Sequence, residues 1–244
     1  MSKDRTIIAP ATVPGRGGVS IIRMSGGLSK SIAEDMCGKL AEPWRFKRCS
    51  IKSRGGFKID DGMVVFFKSP NSYTGDDVVE FHCHGNPTIV NLVVEEAINR
   101  GAVVAEPGEF TKTAFLNEKI DLVQAESVAD LINAQSETAV VAANSSLSGQ
   151  FSEQINLLLD GIIKARVLVE ANIDFPEEEI DSSVLESVKE ELHGFHAKID
   201  KLLTHVKEGV KLRDGYSVAI VGPPNAGKSS LLNLLAREDL AITS

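Results

Sequence analysis

The segment 222–233, "GPPNAGKSSLLN", constrains the fold of this 244-residue chain more than any other stretch. Its spacing matches G-x-x-x-x-G-K-[ST], in which the glycines let backbone N–H groups turn toward phosphate oxygens at a helix N-terminus. The apolar run 216–222 predicts a buried strand before the motif, and residues 227–239 predict a helix after it. A strand, this loop and a helix in that order predict the phosphate-binding part of an α/β nucleotide-binding domain.

The residues of the motif have separate predicted roles in holding a nucleotide. Lys228 brings a point charge to the β and γ phosphates, and the Ser229 hydroxyl is a ligand for Mg²⁺. The predicted nucleotide-binding residues are Gly222, Asn225, Ala226, Gly227, Lys228, Ser229 and Ser230. Neither D-x-x-G nor N-K-x-D follows in the sequence, so the loop alone does not distinguish ATP from GTP. We therefore expect no nucleotide hydrolysis by these 244 residues.

Composition narrows the class of protein. The formal net charge of −8 argues against a broad basic face for nucleic acid, while a local basic patch or a basic partner subunit stays compatible with it. Cys37, Cys49 and Cys83 are odd in number and lack CxxC spacing, which indicates free thiols in a reducing compartment. The N-terminus has no apolar signal core and no long apolar window occurs, so we expect a cytoplasmic protein with no membrane partner.

Residues 1–118 mix strand and helix signals. Three β-rich runs predict strands, at 18–26, 62–70 and 76–85. Asn86 followed by Pro87 predicts a helix start, because Asn is a favoured N-cap and Pro is favoured in the first turn. The apolar spacing that follows predicts a helix that stops at Gly101.

Residues 119–213 have a different character, since helical periodicity dominates. Three helices are predicted, at 121–147, 151–173 and 182–210. The third carries apolar residues at near-heptad spacing from Val184 to Val206, which predicts packing against other helices. The acidic segment 174–181 between the second and third helices predicts a solvated loop.

Three long motifs together resemble one known family. They are "PATVPGRGGVSIIRMSG" (10–26), "SYTGDDVVEFHCHG" (72–85) and "EPGEFTKTAFLNEKIDLVQAESVADLI" (106–132). They resemble the N-terminal half of the MnmE (TrmE) family of tRNA-modification GTPases. The stretches 168–181 and 222–233 extend the resemblance over essentially the whole chain.

The resemblance implies a fold of three parts. Residues 1–118 would form an α+β N-terminal folate-binding domain, similar to aminomethyltransferases, that also dimerises. Residues 119–213 would belong to an α-helical domain. Residues 214–244 would supply the first strand, P-loop and helix of an α/β P-loop GTPase domain, which this family inserts into the helical domain.

The resemblance also implies a folate site. Its residues would be Arg23, Glu80 and Lys119, and its ligand a 5-formyl-tetrahydrofolate-type one-carbon donor. A carboxylate suits the N–H groups of a pterin edge, and cations suit the glutamate tail of a folate. Next to this site the chain has Cys83-His84-Gly85-Asn86, where the family usually has Gly-His-Gly-Gly.

The segment His82-Cys83-His84 suggests a metal site at first sight. On a strand, however, His82 and His84 share one face and Cys83 lies on the other, so one ion does not easily take all three side chains. We therefore predict packed or hydrogen-bonded side chains here.

In the GTPase part, the resemblance implies that Asn225 helps to bind K⁺ and that Ser244 lies where the potassium loop starts. The catalytic residues are expected beyond the end of this sequence, so none is assigned. The resemblance implies GTP, Mg²⁺ and K⁺ as further cofactors.

The activity implied is that of a GTPase that works with the FAD-binding protein MnmG (GidA). Together they would add an aminomethyl-type group at C5 of the wobble uridine of certain tRNAs. The implied partners are tRNA, MnmG and a second copy of the chain. Two alternatives are a stand-alone folate-binding module and an unrelated P-loop NTPase with an accessory N-terminal domain.

Overall fold

The computed structural model describes residues 5–174, 182–214, 219–224 and 226–236. The chain divides into two compact units. The first comprises Met1–Asn133 and Ala143–Leu157, and the second comprises Ala134–Ala142 and Leu158–Ser244.

A six-stranded sheet organises the first unit, with the strand order β3-β4-β5-β2-β1-β6. The strands are β1 (Ile7–Pro10), β2 (Gly17–Ser25), β3 (Lys47–Lys52), β4 (Lys58–Phe67), β5 (Val78–Gly85) and β6 (Val103–Val104). Neighbouring strands are antiparallel, except that β1 and β6 are parallel. The central pair, β5 and β2, is therefore held by hydrogen bonds on both sides.

One face of this sheet forms the hydrophobic core. Ile22 and Met24 of β2 and Phe81 of β5 are completely buried on this face. Two helices cover it, α1 (Ser29–Cys37) and α2 (Pro87–Ile98). Because successive side chains of a strand alternate between faces, the residues between these apolar positions lie on the opposite face of the sheet. We call that opposite face the pocket face.

The strands and the helix predicted in this unit are present. The three predicted runs correspond to β2, β4 and β5, with ends that shift by a few residues. Asn86 is the N-cap of α2, and its side chain accepts a hydrogen bond from the Thr88 N–H at 2.8 Å. The helix ends at Ile98, before the predicted stop at Gly101. The sequence signals did not identify β1, β3, β6 or α1.

Four helices follow where the sequence predicted three. These four helices are α4 (Leu122–Asn133), α5 (Glu137–Leu147), α6 (Gln150–Asp174) and α7 (Ser182–Asp214). A short helix, α3 (Glu109–Leu116), precedes α4. The prediction of one helix over 121–147 was wrong, because Ser136 starts a new helix. Its Oγ lies 3.2 Å from the Ala139 N–H, and its carbonyl accepts from the Val140 N–H. In the predicted acidic loop 174–181, Asp174 is instead the last residue of α6, and residues 175–181 lie outside the described residues.

Helix α7 leaves much of its apolar stripe open to solvent. Leu192, Ile199 and Leu203 are exposed, whereas Val188 is buried. The ring of Phe195 packs against α6 at Gly161, where an added Cβ would lie only 2.4 Å from its Cζ. Among the side chains of the stripe that the structure describes, only part thus takes part in the predicted packing between helices.

The phosphate-loop segment differs from the prediction in one respect. Ala219–Gly222 form no strand, and Val221 is exposed; residues 216–218 lie outside the described part. A strand is stable when neighbouring strands satisfy its backbone, and no described strand pairs with this segment. The predicted helix is present as α8 (Lys228–Ala236).

Two predictions from composition concern the whole chain. All three cysteines are free thiols, as predicted. Among the residues that the structure describes, no helix is long and apolar enough to cross a membrane.

Candidate functional site

A charged pair occupies the centre of the pocket face. Arg23 of β2 and Glu80 of β5 are directly opposite each other in the antiparallel register. The Nε and Nη2 atoms of Arg23 each lie 2.8 Å from Oε1 of Glu80. Arg23 also lies over two aromatic rings, 5.1 Å from the centroid of Tyr73 and 5.8 Å from that of Phe110. These contacts fix the guanidinium and hold the carboxylate in one orientation.

The second oxygen of Glu80 is less constrained. Its Oε2 lies 3.4 Å from His82 Nε2, but the two atoms do not form a hydrogen bond. His82 Nε2 is buried and has no hydrogen-bond partner among the described residues. The ring of His82 packs edge-to-face against Phe46 at 5.0 Å. Glu80 Oε2 therefore accepts no hydrogen bond among the described residues, whereas Oε1 is bonded to Arg23.

Lys119 reaches the same region from the turn after α3. The helix ends at Leu116, and Glu118 then takes a left-handed conformation with φ of 57°. The Lys119 N–H donates to the carbonyl of Ala114 at 2.9 Å, which closes the turn. Its side chain runs past Gly75, since a Cβ at Gly75 would lie 3.0 Å from Lys119 Cγ.

The loop between β4 and β5 is fixed to its surroundings on two sides. The Oγ1 of Thr74 lies 2.7 Å from Ser25 Oγ on β2, and the carbonyl of Thr74 accepts from the Asn117 side chain at 2.8 Å. Tyr73 shares a hydrogen bond of 2.8 Å with Thr111 of α3. The loop thus ties β2 to the α3 turn and keeps Tyr73 and Lys119 at the edge of the charged pair.

These groups line an open pocket of about 710 Å³. It is lined by Arg23, Trp44, Phe67, Asn71, Ser72, Tyr73, Val78, Glu80 and Lys119. The three residues predicted from separate motifs therefore line one pocket. Two cations and one carboxylate beside aromatic walls suit a planar ligand that carries N–H donors and a negatively charged part.

The His82-Cys83-His84 segment divides between the two faces. Cys83 is buried in the core, its thiol lies 3.6 Å from the Ser20 carbonyl, and burial raises its pKa to about 11. His84 lies on the other face, where its backbone N–H and its Nδ1 both bond to the carboxylate of Asp60 at 2.8 Å. Cys83 and His84 therefore have separate hydrogen-bond partners within the described part of the chain, while the ring of His82 packs against Phe46.

The phosphate loop forms a second candidate site, in the other unit. Gly227 has a φ of 80°, which favours glycine, and α8 begins at the next residue. The Nζ of Lys228 donates to the carbonyls of Gly222 at 3.0 Å and Pro223 at 2.6 Å. The ammonium group thus bends back over the loop, where phosphate oxygens offer acceptors of the same kind. The residues present fit a nucleotide phosphate.

The structure covers only part of the second predicted site. Gly222, Ala226, Gly227, Lys228, Ser229 and Ser230 are described, and Ser229 and Ser230 lie in the first turn of α8. Asn225 and Ser244, the predicted K⁺ residues, lie outside the described residues. The role of Ser229 toward Mg²⁺ stays a prediction.

Sequence reasoning missed several residues of the first pocket. Tyr73 lies within the motif 72–85 that resembles the family, but the motif did not predict that Tyr73 lines the pocket. Trp44 and Phe67 lie outside the three long motifs. Trp44 belongs to the connection between α1 and β3, residues 38–46. Phe67 is the last residue of β4, and the apolar pattern of that strand predicts burial without indicating a ligand contact.

The described residues combine a sheet domain that carries a pocket, a set of long helices and the phosphate-loop motif, a combination typical of modular nucleotide-binding proteins. Comparison with known proteins identifies the family. The family model "GTP-binding protein TrmE N-terminus" matches residues 6–119, and the model "MnmE helical domain" matches residues 122–243. The chain therefore belongs to the TrmE/MnmE family, and the predicted α+β domain followed by a helical domain is confirmed.

Curated relatives agree with this assignment. A protein of Neisseria gonorrhoeae (strain NCCP11945) named "tRNA modification GTPase MnmE" is 46% identical over 239 residues, covering 98% of this chain and 53% of the relative. Proteins of the same name from Nitrosomonas eutropha and Francisella philomiragia are 46% and 49% identical, each over 100% of this chain and 54% of the relative. The chain thus spans about half the length of the curated relatives that it matches.

Proposed function

We propose that this chain is the folate-binding and helical part of a tRNA-modification GTPase. The full protein would add an aminomethyl-type group at C5 of the wobble uridine of certain tRNAs, with carbon from a folate. The observation that carries the proposal is the meeting of Arg23, Glu80 and Lys119 in one pocket. The name shared by the relatives supports the tRNA and GTPase parts of the proposal.

The pocket suits a 5-formyl-tetrahydrofolate-type ligand for chemical reasons. Glu80 Oε2 is available to accept N–H groups of the pterin edge, while Oε1 stays bonded to Arg23. Lys119 and the remaining donors of Arg23 suit the glutamate carboxylates. When bound, such a folate supplies the one-carbon unit, and the residues of this chain bind and orient it.

The phosphate loop would hold GTP. The carbonyls of Gly222 and Pro223 now accept from Lys228, and phosphate oxygens would take over that ammonium group. Ser229 would be a ligand for Mg²⁺, and Asn225 and Ser244 would help to hold K⁺. A monovalent cation at that position supplies charge that stabilises the transferred phosphoryl group.

The remaining parts of the proposal concern partners and location. We propose a homodimer through the N-terminal domain and an FAD-binding partner of the MnmG type. The net charge of −8 is consistent with a partner that contributes much of the surface for tRNA. The three free thiols are consistent with the cytoplasm. The complete phosphate-loop motif argues against a stand-alone folate module.

Calorimetry with a reduced formyl-folate tests the proposal. Glu80→Ala removes the acceptor and leaves Arg23 without its carboxylate, so we expect a loss of about 2–5 kcal/mol in binding. Glu95→Ala is the matched control, because Glu95 is exposed on α2, which covers the other face of the sheet. Unchanged binding by Glu80→Ala would remove Glu80 from the site, and no binding by the unmodified chain would refute the folate proposal.

A further inference from the structure

Trp44 stands out among the pocket residues because its backbone is strained. Its φ is 66°, in the left-handed region, which a residue with a bulky side chain adopts only at a cost of about 1–3 kcal/mol. The strain is held in place by a hydrogen bond, since the Trp44 N–H donates to the Phe66 carbonyl at 2.8 Å. Such strain tends to be retained where a side chain has a functional position to keep.

The side chain of Trp44 does not gain burial from this conformation. It is 60% exposed, although an indole is among the most favourable side chains to bury. Its ring contacts Phe67 edge-to-face, with the centroids 4.7 Å apart and the planes at 82°. Phe67 is paired across the strands with Val78, and Val78 lies two residues before Glu80 on the same face. The indole therefore lines the same pocket as Glu80, against Phe67.

From these observations we infer that Trp44 is a specificity-determining contact, on which the planar ring held by Glu80 stacks. The inference rests on the proposed folate function. It goes beyond that function because it assigns the surface on which the pterin ring binds to Trp44, which lies outside the motifs that resemble the family. Stacking of a heteroaromatic ring on an indole is tolerant of substituents and strong for its area. The left-handed backbone keeps the indole in the pocket before the ligand arrives, which lowers the entropy lost on binding.

The chain contains one tryptophan, so its tryptophan fluorescence reports on residue 44 alone. Titration of the chain with 5-formyl-tetrahydrofolate is expected to quench this fluorescence with the same Kd that calorimetry gives. Trp44→Leu is expected to weaken binding about tenfold, and Trp44→Phe to recover most of that loss. Phe57→Leu is the matched control, because Phe57 is an equally exposed aromatic in the β3–β4 turn, outside the pocket.

A second variant separates ring contact from folding. Trp44→Gly removes the indole and at the same time relieves the left-handed strain, so the fold is expected to stay as stable as before or to gain stability. Its affinity for the formyl-folate is nevertheless expected to fall about tenfold. A tetrahydropterin that lacks the benzoyl-glutamate part should also bind about tenfold more weakly to Trp44→Leu and to Trp44→Gly, because the proposed stack involves the ring and not the tail.

The outcomes distinguish this inference from the folate proposal. Binding by Trp44→Leu and Trp44→Gly within twofold of the unmodified chain would overturn the role of Trp44 and leave the folate proposal intact. A loss confined to the tail-bearing ligand would overturn the assignment of the ring. If the unmodified chain gives neither heat nor quenching with formyl-folate, both proposals fall together.

Discussion

Arg23 and Glu80 form a cross-strand pair in which two guanidinium nitrogens lie 2.8 Å from one carboxylate oxygen. Both side chains are largely withdrawn from solvent, with 28% and 14% exposed. Removal of one partner therefore leaves the other partly buried and unpaired. The resulting loss of folding free energy is larger than the net stabilisation that the intact pair provides. The stability of the sheet therefore depends on keeping both members of the pair.

The first prediction follows from this dependence. Arg23→Met should lower the free energy of unfolding by about 1–3 kcal/mol, and Arg23→Met with Glu80→Met should recover most of it. Urea unfolding of the single and double variants measures both effects. Arg166→Met is the control, because its pair with Glu170 is exposed and should be worth less than about 0.5 kcal/mol. Equal losses in the single and double variants would contradict the coupling.

The second prediction concerns the approach of Lys119 to Gly75. Gly75 has a φ of 84°, and a Cβ there would lie 3.0 Å from Lys119 Cγ and 3.3 Å from Asn117 Cβ. Gly75→Ala should therefore lower stability by about 1 kcal/mol and also displace Lys119, so formyl-folate binding should weaken. Calorimetry and thermal unfolding measure the two effects.

The matched control for this prediction is Gly56→Ala. Gly56 has a similar φ of 81°, but nothing lies within 4 Å of the position of its added Cβ. Its backbone penalty should be similar, while binding should be unchanged. If both variants bind the folate equally well, the contact between Gly75 and Lys119 does not position the lysine.

The sequence predicted the charged part of the pocket better than its aromatic part. Arg23, Glu80 and Lys119 lie in long motifs, and motifs carry over between members of a family. Trp44 depends on a left-handed backbone and a contact with Phe67, which no periodicity reveals. The orientation of Glu80 likewise depends on the register of β2 against β5, which only the folded sheet fixes.

Local signals had similar limits for the secondary structure. The apolar spacing over 121–147 fits one helix, yet the cap at Ser136 divides it, because a short polar side chain satisfies the free N–H groups of a new helix start. The run 216–222 has strand composition, but Ala219–Gly222 form no strand in the described part of the chain. The composition of a segment can favour a strand, but it does not show whether a neighbouring strand is present to pair with that segment.

The third prediction concerns GTP. Ala219–Gly222 lie outside any described sheet and Val221 is exposed, so no strand among the described residues supports the phosphate loop. We expect no GTP hydrolysis by the 244-residue chain, with or without K⁺. A phosphate-release assay, with Lys228→Ala as the background, measures this. Turnover above that background would contradict the prediction.

The fourth prediction uses the thiol of Cys83. Burial raises its pKa from the ordinary 9.0 to about 11, so the folded state holds this proton more tightly than the unfolded state does. The corresponding stability is complete below pH 9 and is lost as the pH rises toward 11. The unmodified chain should therefore lose up to about 2 kcal/mol more over that range than Cys83→Ala does. Urea unfolding at several pH values measures the difference, and parallel pH profiles would refute it.

The last prediction concerns α7, whose described apolar side chains are largely uncovered. Leu192, Ile199 and Leu203 are exposed, and apolar surface left in water forgoes about 25 cal/mol per Å² of stabilisation. We expect the backbone amides of 182–213 to exchange faster than those of β2 and β5, and the isolated chain to associate through this helix. Ile199→Glu with Leu203→Glu should reduce that association in sedimentation experiments. Amide protection in α7 equal to that of the two strands, in a species no larger than a dimer, would contradict this prediction.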